Sequence, residues 1–215
     1  MPSNTHSKLR GFYGGTFDPI HQGHLQLALY VLANCQLNQL DLLPSHIPPH
    51  RATPGSSSVH RAAMVRLAIA GHPGLVINEL ELRKNQPSYT VDTLSVLKQQ
   101  FPDDHLCFLI GMDSLCNFKS WHRYQHILQL AHLIVLQRPG YQPDKGDAPS
   151  LLAEFQATER KELQQQAAGK ILLLDNPTYA ISASQIRGQY QQNQLDPQLQ
   201  IPAVQQYIEQ HQLYR

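Results

Sequence analysis

The sequence predicts an α/β protein built on a doubly wound, parallel sheet. Two observations carry this prediction. Apolar, strand-like runs alternate with helical patterns along nearly the whole chain, and each chemically distinctive motif falls just after a strand-like run. In open parallel sheets, ligands bind beyond the carboxyl ends of the strands, so these motif positions agree with the fold class. We expect one domain, residues 1–215, whose last helices, about 181–215, form a C-terminal helical subregion.

The elements alternate in chain order. The predicted strands are short apolar runs at Leu9–Tyr13, Leu40–Leu43, Leu75–Leu82, Leu106–Ile110, Leu133–Leu136 and Ile171–Leu174. The predicted helices are His24–Asn34, Val59–Ala70, Val91–Gln100, Tyr124–Ala131, a polar one near Leu151–Gln166, Ser184–Gln191 and Ala203–Gln210. Two stretches rich in Pro, Ser and Gly, 46–58 and 138–150, are predicted to be loops.

Composition excludes several classes of protein. A formal net charge of +1 gives no basic field for nucleic acid. No apolar run approaches the roughly 20 residues that span a bilayer, and the polar start Met1–His6 lacks the apolar core of a signal peptide. Cys35, Cys107 and Cys116 are an odd number without metal-like spacing, which favours buried, reduced thiols. We therefore expect a cytoplasmic protein with neither nucleic-acid nor membrane partners.

The most informative motif is G-G-T-F-D-P-I-H-Q-G-H at residues 14–24, between the first predicted strand and helix. A helix N-terminus after a glycine turn offers free backbone N–H groups and the positive end of a dipole to an anion. His21 and His24 are three residues apart, which places both imidazoles on one helical face. Gly23 leaves room for a close approach to the backbone. The motif predicts a phosphate site that uses imidazoles.

Other kinds of site share parts of this motif. The P-loop and G-x-G-x-x-G patterns are both absent from the sequence. A zinc site on His21 and His24 needs a third ligand, and none stands at suitable spacing. A class I aminoacyl-tRNA synthetase fragment carries a similar histidine pair, but this chain lacks its K-M-S-K-S loop and a basic face. A nucleotide-sensing module without catalysis stays open.

A second motif, I-S-A-S-Q-I-R at residues 181–187, opens a later helix. Ser182 or Ser184 is a suitable helix cap, and Arg187 would follow on the first turns. Hydroxyls, free N–H groups and a guanidinium then point towards one anion, which arginine binds with a fixed fork. Taken alone, the pattern favours a capped helix with a surface arginine; beside the H-x-G-H segment, the phosphate-binding interpretation is favoured.

Together these motifs resemble the signatures of the nucleotidyltransferase superfamily, with Ser184 where threonine is commoner. Three further motifs narrow the resemblance to the bacterial nicotinate-nucleotide adenylyltransferase family. They are P-S-H-I-P-P-H-R at 44–51, P-S-Y-T at 87–90, and G-M-D-S at 111–114 with Trp121. The resemblance implies a Rossmann-like nucleotidyltransferase fold. It also implies adenylyl transfer from ATP to nicotinate mononucleotide, which gives deamido-NAD and pyrophosphate. The alternative is a sister enzyme acting on nicotinamide mononucleotide or phosphopantetheine.

The resemblance assigns roles residue by residue, with His21, His24 and Arg187 as the catalytic group. The implied ATP-binding residues are Gly14, Gly15, Phe17, His21, Gly23, His24, Gly111, Asp113, Arg138, Ile181, Ser182, Ser184 and Arg187. The implied mononucleotide-binding residues are Gly15, Thr16, His46, Arg51, Ser88, Tyr89, Thr90 and Trp121. No residue is expected to be a dedicated metal ligand, because Mg²⁺ would be held mainly by the ATP phosphates. The partners are then ATP and nicotinate mononucleotide, and the enzyme is a monomer or a weak homo-oligomer.

Several of these residues also have plainer interpretations. Thr90 is a suitable N-cap, so the following N–H groups can bind a carboxylate, which the family uses for nicotinate. Trp121 would stack on the pyridine ring or simply pack in the core. Asp113 would accept a ribose hydroxyl, cap a helix, or both. Arg51 and His46 would meet the mononucleotide phosphate or belong to a solvated loop, and Arg138 would line the ATP side or lie on the surface.

Overall fold

Seven parallel strands form one sheet in residues 7–45, 55–83 and 89–215, the parts of the chain that the computed structural model describes. They are β1 (Leu9–Gly15), β2 (Gln39–Pro44), β3 (Leu75–Ile77), β4 (His105–Gly111), β5 (His132–Leu136), β6 (Gln156–Ala157) and β7 (Ile171–Leu174). Their order across the sheet is β3-β2-β1-β4-β5-β7-β6. The winding reverses between the neighbours β1 and β4, which is where such sheets bind ligands.

Helices cover both faces of the sheet. They are α1 (Gln22–Asn34), α2 (Ser58–Ile69), α3 (Thr90–Gln100), α4 (Met112–Leu115), α5 (Tyr124–Leu130), α6 (Ala148–Phe155), α7 (Glu162–Gln165), α8 (Ala183–Gln192) and α9 (Pro202–Gln210). One buried cluster includes side chains of α1, α2 and α9, and the other includes side chains of α3, α5 and α6. The two clusters lie on opposite faces of the sheet, because successive side chains of a strand point to opposite faces. On strand β4, Leu106 and Phe108 belong to the second cluster, while Cys107 and Leu109 belong to the first.

The predicted doubly wound sheet is confirmed, and two predicted elements are corrected. The extended run Leu75–Leu82 is a strand only to Ile77, and a 3₁₀ turn follows at Glu81–Arg83. The predicted helix Leu151–Gln166 is wrong, because α6 and α7 are separated by strand β6. There Ala157 pairs with Leu172 and is buried, so pairing at the sheet edge overrides the local helical preference.

The carboxyl ends of the central strands bring the motifs together. Gly15 at the end of β1 is paired with Pro44 at the end of β2, and Gly111 at the end of β4 with Leu136 at the end of β5. The segments after β1, β4 and β5 therefore leave the sheet at one edge, which we call the carboxyl edge. The opposite side, where the parallel strands begin, is the amino edge.

Two findings within the described ranges bear on the composition. No helix there is long and apolar enough to cross a membrane. Cys35, Cys107 and Cys116 are all buried and free of disulfides. Burial raises the pKa of the Cys35 thiol to about 11, so this thiol stays protonated at neutral pH.

Candidate active site

The turn between β1 and α1 is shaped by Phe17. This residue has a left-handed backbone, with φ at 49°, and its ring folds back beneath the chain at Gly15. A Cβ atom on Gly15 would lie 2.8 Å from the Phe17 Cζ, so only glycine fits there. The Phe17 ring is buried and meets the His24 ring edge-on, with centroids 5.2 Å apart. Phe17 is one of the residues implied to bind ATP. Its buried ring packs against the turn at Gly15 and against the His24 ring, and so supports both.

The two histidines meet at the start of α1, as their spacing predicts. His21 is the N-cap residue, and its ring stacks on that of His24 with centroids 3.7 Å apart. The backbone N–H of His21 donates to His24 Nδ1 at 3.3 Å. Because Nδ1 accepts this bond, a neutral His24 carries its proton on Nε2, which makes Nε2 a hydrogen-bond donor.

His21 is buried, and its electrostatics follow from that burial. Desolvation lowers its pKa to about 4, so the imidazole is neutral at pH 7. Its Nδ1 is buried without a hydrogen-bond partner in the described chain. No acidic residue lies in the first turn of α1, so no carboxylate of the helix itself offsets its positive end. In the tautomer that carries its proton on Nδ1, this nitrogen is a donor at a helix start, which suits an anionic ligand.

Gly23 is placed where two side chains crowd the backbone. A Cβ atom there would lie 3.2 Å from both His21 Nδ1 and the Tyr179 Cβ. The glycine that we predicted to leave room for a ligand thus leaves room for the His21 ring as well. Tyr179 was not singled out from the sequence, since a partly exposed tyrosine in a polar loop carries no pattern of its own.

The I-S-A-S-Q-I-R motif reaches the same turn through Arg187. Of the two suggested caps, Ser182 is the one used, because its Oγ accepts from Gln185 N at 3.1 Å. Arg187 Nη1 donates to the backbone oxygen of Asp18 at 2.7 Å, and Nη2 donates to Ser184 Oγ at 3.2 Å. About a third of the Arg187 side chain is exposed. Half-buried Ile181 leads into this cap. The two histidines and Arg187 therefore border one turn.

Arg61 is a functional candidate that sequence reasoning missed. It is buried on α2, and its Nη1 donates to the backbone oxygens of Thr16 at 2.7 Å and of Ser45 at 2.6 Å. Burial lowers the pKa of this guanidinium. One side chain thus ties the turn after β1 to the end of β2. The available clue was that Arg61 shares a helical face with Met64, Val65 and Ala68.

Asp113 and Arg138 contact each other at the ends of β4 and β5. Arg138 Nη1 lies 2.5 Å from Asp113 Oδ2, and half of the Arg138 side chain is exposed. The N-cap of α4 is Gly111, so the suggestion that Asp113 caps this helix is wrong. Asp113 Oδ1 is buried and has no hydrogen-bond partner in the described residues. A Cβ on Gly111 would clash with that oxygen. The Oδ1 atom of Asp113 can therefore accept a hydrogen bond from a ligand at the carboxyl edge.

The predicted pyridine-binding residues, Tyr89, Thr90 and Trp121, are more exposed than the buried His21. Thr90 was expected to be the N-cap of α3, but the N-cap is Tyr89 and Thr90 is the first helical residue. The Tyr89 side chain makes no capping bond, and its exposed ring lies 4.7 Å from that of His122. The neighbouring Trp121 is half-buried against Phe118, at 5.3 Å. Trp121 and the turn at Tyr89 thus adjoin, with part of the tryptophan accessible.

Three predicted residues, His46, Arg51 and Ser88, lie outside the described residues. The residues that flank segment 46–54 are nonetheless placed. Ser45 N donates to Gly15 O at 2.9 Å, and Gly55 N donates to Asp18 Oδ2 at 2.7 Å. The described residues on either side of that segment are therefore joined to the turn that carries the histidines.

Comparison with known proteins agrees with this geometry. Residues 12–189 match the family model described as cytidylyltransferase-like, which places the chain in a class of Rossmann-like nucleotidyltransferases. A relative from Aeromonas salmonicida is 48% identical over 207 residues, covering 95% of this chain and 96% of its own length. One from Serratia proteamaculans is 42% identical and covers all of both chains. Both are described as a "Probable nicotinate-nucleotide adenylyltransferase". The chain belongs to the nicotinate-nucleotide adenylyltransferase family.

Solved structures support the fold. The nicotinic acid mononucleotide adenylyltransferase of Plasmodium falciparum, solved in complex with NaAD, superposes with a TM-score of 0.73. It is 19% identical, and the alignment covers 96% of this chain and 97% of that one. At this identity the likeness concerns the α/β architecture.

Proposed function

We propose that this enzyme transfers the adenylyl group of ATP to nicotinate mononucleotide, giving deamido-NAD and pyrophosphate. The 5′-phosphate of the mononucleotide attacks the α-phosphorus of ATP. A bond forms from the attacking oxygen to that phosphorus, and the bond from phosphorus to the β-bridging oxygen breaks. Because the attacking phosphate is already an anion, no general base is needed. Catalysis then consists of positioning and of stabilising charge on the transferring phosphate.

The stacked histidines at the start of α1 are the observation that carries this proposal. His24 Nε2 and the unsatisfied His21 Nδ1 offer polar contacts to the phosphates without a full positive charge on His21, whose pKa is about 4. The positive end of α1 adds to them. Arg187 supplies the permanent positive charge at the same turn. We assign His21 and His24 to the α-phosphate and bridging oxygens, and Arg187 to the departing pyrophosphate.

Mg²⁺ enters this scheme with the substrate. The described residues contain no group of three or more His, Cys, Asp and Glu side chains that could hold a metal ion. The donor set at the carboxyl edge consists mainly of imidazole, guanidinium and backbone N–H groups, which suit phosphate oxygens rather than Mg²⁺. We therefore propose that ATP binds as its magnesium complex, with the ion coordinated chiefly by the phosphates and by water.

The remaining parts of the substrates are assigned to the strand ends. Asp113 has an unsatisfied carboxylate oxygen and is assigned to an adenosine ribose hydroxyl, beside Arg138. The Tyr89 side chain does not cap α3. The first N–H groups of this helix are therefore assigned to the nicotinate carboxylate. Trp121 is assigned to stacking on the pyridine ring. His46, Arg51 and Ser88 stay assigned to the mononucleotide on the resemblance alone.

We also propose a cytoplasmic location, since the buried, unpaired cysteines suit a reducing compartment. The proposed oligomeric state is a monomer or a weak homo-oligomer. The membrane and nucleic acid have no part in the scheme, and the formal net charge of +1 favours neither.

The deciding experiment measures pyrophosphate release from MgATP with nicotinate mononucleotide, nicotinamide mononucleotide or phosphopantetheine as acceptor. We expect the nicotinate acceptor to give the highest kcat/KM. Release with phosphopantetheine instead would make the chain a sister enzyme. ATP binding without pyrophosphate release from any acceptor would favour the nucleotide-sensing alternative.

A further inference from the structure

Asp18, inside the β1–α1 motif, is a carboxylate that accepts four hydrogen bonds. Its side chain is buried. Oδ2 accepts from Gly55 N at 2.7 Å, while Oδ1 accepts from Ser56 Oγ at 2.6 Å and from Ser56 N at 3.2 Å. A fourth donor, the hydroxyl of Tyr214, contacts Oδ1 at 2.6 Å. A buried carboxylate must be paired or hydrogen-bonded, and here neutral groups do most of this.

Tyr214 reaches Asp18 from the turn that follows α9, 196 residues away along the chain. Its backbone is left-handed, with φ at 66°, a conformation rare for a bulky side chain and kept only where surrounding contacts impose it. The Tyr214 hydroxyl lies 3.0 Å from Ser56 Oγ as well. Burial and the nearby Asp18 carboxylate raise the pKa of this hydroxyl, so it remains a donor.

Asp18 in turn contacts both Arg187 and the residue that follows segment 46–54. Its backbone oxygen holds Arg187 Nη1 at 2.7 Å, and its side chain holds Gly55, next to segment 46–54. Asp18 Oδ2 lies 3.9 Å from the same Arg187 Nη1, which is beyond hydrogen-bond distance. If Asp18 lost a neutral donor, the nearest compensating group would be the Arg187 guanidinium. That movement would turn Arg187 away from the departing pyrophosphate.

We propose that Tyr214 is a positioning residue for adenylyl transfer, which acts through Asp18 to keep Arg187 directed at the nucleotide. The inference rests on the function proposed above. It extends the active site to the turn after α9, which no sequence motif marked. Tyr214 contacts neither substrate in this scheme, so its effect is on geometry rather than on chemistry.

The test compares two tyrosines of one segment. Tyr214→Phe removes only the hydroxyl that serves Asp18. Tyr207→Phe is the matched control, because Tyr207 lies on α9 and its hydroxyl contacts His60 Nδ1 at 3.0 Å, away from Asp18. We expect Tyr214→Phe to raise the KM for MgATP several-fold and to lower kcat/KM about tenfold. We expect Tyr207→Phe to retain wild-type kinetics, and the melting temperatures of the two variants to agree.

A double-mutant cycle shows whether the effect passes through Asp18. Ser56→Ala removes the other side-chain donor to Oδ1, so its kinetic effect and that of Tyr214→Phe should be non-additive. Hydrogen exchange gives a readout that does not depend on turnover. In Tyr214→Phe, the amides of residues 14–24 and of Gly55 and Ser56 should exchange faster than in Tyr207→Phe.

The outcomes separate the two levels of the proposal. If wild-type protein fails to make the dinucleotide, the proposed function is wrong, whatever Tyr214 does. If the wild type is active and Tyr214→Phe matches Tyr207→Phe in KM, kcat and exchange, the positioning role is overturned. An equal loss in both variants would likewise show a merely structural part. If Tyr214→Phe does not fold, Ser56→Ala decides, with wild-type kinetics counting against the proposal.

Discussion

The two edges of the sheet each bury a neutral imidazole, but they treat it differently. His132, at the amino edge, has both ring nitrogens engaged: Nε2 with Gln166 O at 2.9 Å and Nδ1 with Lys170 N at 3.1 Å. His21, at the carboxyl edge, has a buried Nδ1 with no partner in the described chain. Burial lowers the pKa of each ring to about 4. The cost of desolvation is similar, but within the described residues His132 has both ring nitrogens paired and His21 does not.

This contrast extends beyond the two histidines. Buried polar atoms without partners in the described residues include His21 Nδ1, Ser45 Oγ and Asp113 Oδ1, after β1, β2 and β4. Such atoms are destabilising in a folded protein unless a ligand or water satisfies them. Because these atoms lie at the carboxyl edge, we infer that this edge binds a ligand. At the amino edge, the protein itself satisfies the buried His132.

The sharpest way to break this comparison is to remove the imidazoles of the carboxyl edge. We expect His24→Ala to lower kcat by ~100- to 1000-fold, because it removes a preorganised donor to the transferring phosphate. His21→Ala should behave alike. Steady-state pyrophosphate release measures the loss, and circular dichroism checks the fold. A folded His24→Ala enzyme with near-normal turnover would falsify the assignment.

Arg187 tests whether the carboxyl edge needs a guanidinium or just a charge. Its two terminal nitrogens bond Asp18 O and Ser184 Oγ at once, which a single ammonium cannot reproduce. We expect Arg187→Lys to lower kcat/KM for MgATP by roughly 10- to 100-fold, since charge-assisted bonds contribute about 1.5–3 kcal/mol each. Unchanged KM and kcat in Arg187→Ala would reduce the second motif to an ordinary capped helix.

Changes at the pyridine-binding residues should affect kcat/KM less than changes at His24 or Arg187, and they should bear on the choice of mononucleotide. We expect the acid mononucleotide to be preferred strongly over the amide, because only the acid gains charge-assisted bonds at the start of α3. Trp121→Ala should raise the KM for both about tenfold, given stacking worth ~1–3 kcal/mol, and leave their ratio unchanged. The measurement is kcat/KM for both mononucleotides at fixed MgATP. A wild-type ratio near one would remove the carboxylate argument.

Sequence reasoning reached the fold and the chemistry, but not the contacts between distant segments. The alternation of strands and helices, the pair His21 and His24, and the cap at Ser182 depend on local spacing and so were readable. Arg61 and Tyr214 act across 45 and 196 residues of sequence, and no periodicity links such partners. The helix predicted near Leu151–Gln166 failed for a related reason, because pairing of β6 with β7 is a tertiary contact.

The last prediction concerns the amino edge and should leave catalysis unchanged. Desolvation lowers the pKa of His132 to about 4, opposed by its bond to Gln166 and assisted by nearby His105 and Lys170. The unfolded chain, with an ordinary histidine pKa of about 6.5, binds more protons between pH 6.5 and 4. The stability that neutral His132 contributes is therefore complete above pH 6.5 and falls as the pH drops towards 4.

His132→Gln removes this titration while keeping one donor and one acceptor. The free energy of unfolding of wild type, relative to this variant, should fall by about 1.4 kcal/mol per pH unit below 6.5, or roughly 2 kcal/mol at pH 5. Urea unfolding at pH 7 and pH 5 measures this change, with the partly exposed His126 replaced by Gln as control. Turnover at pH 7 should match wild type. A stability difference between wild type and His132→Gln that is the same at both pH values would mean that His132 is not held neutral by burial. A loss of turnover would mean that the two edges are coupled, and the contrast between a stabilising edge and a catalytic edge would then fail.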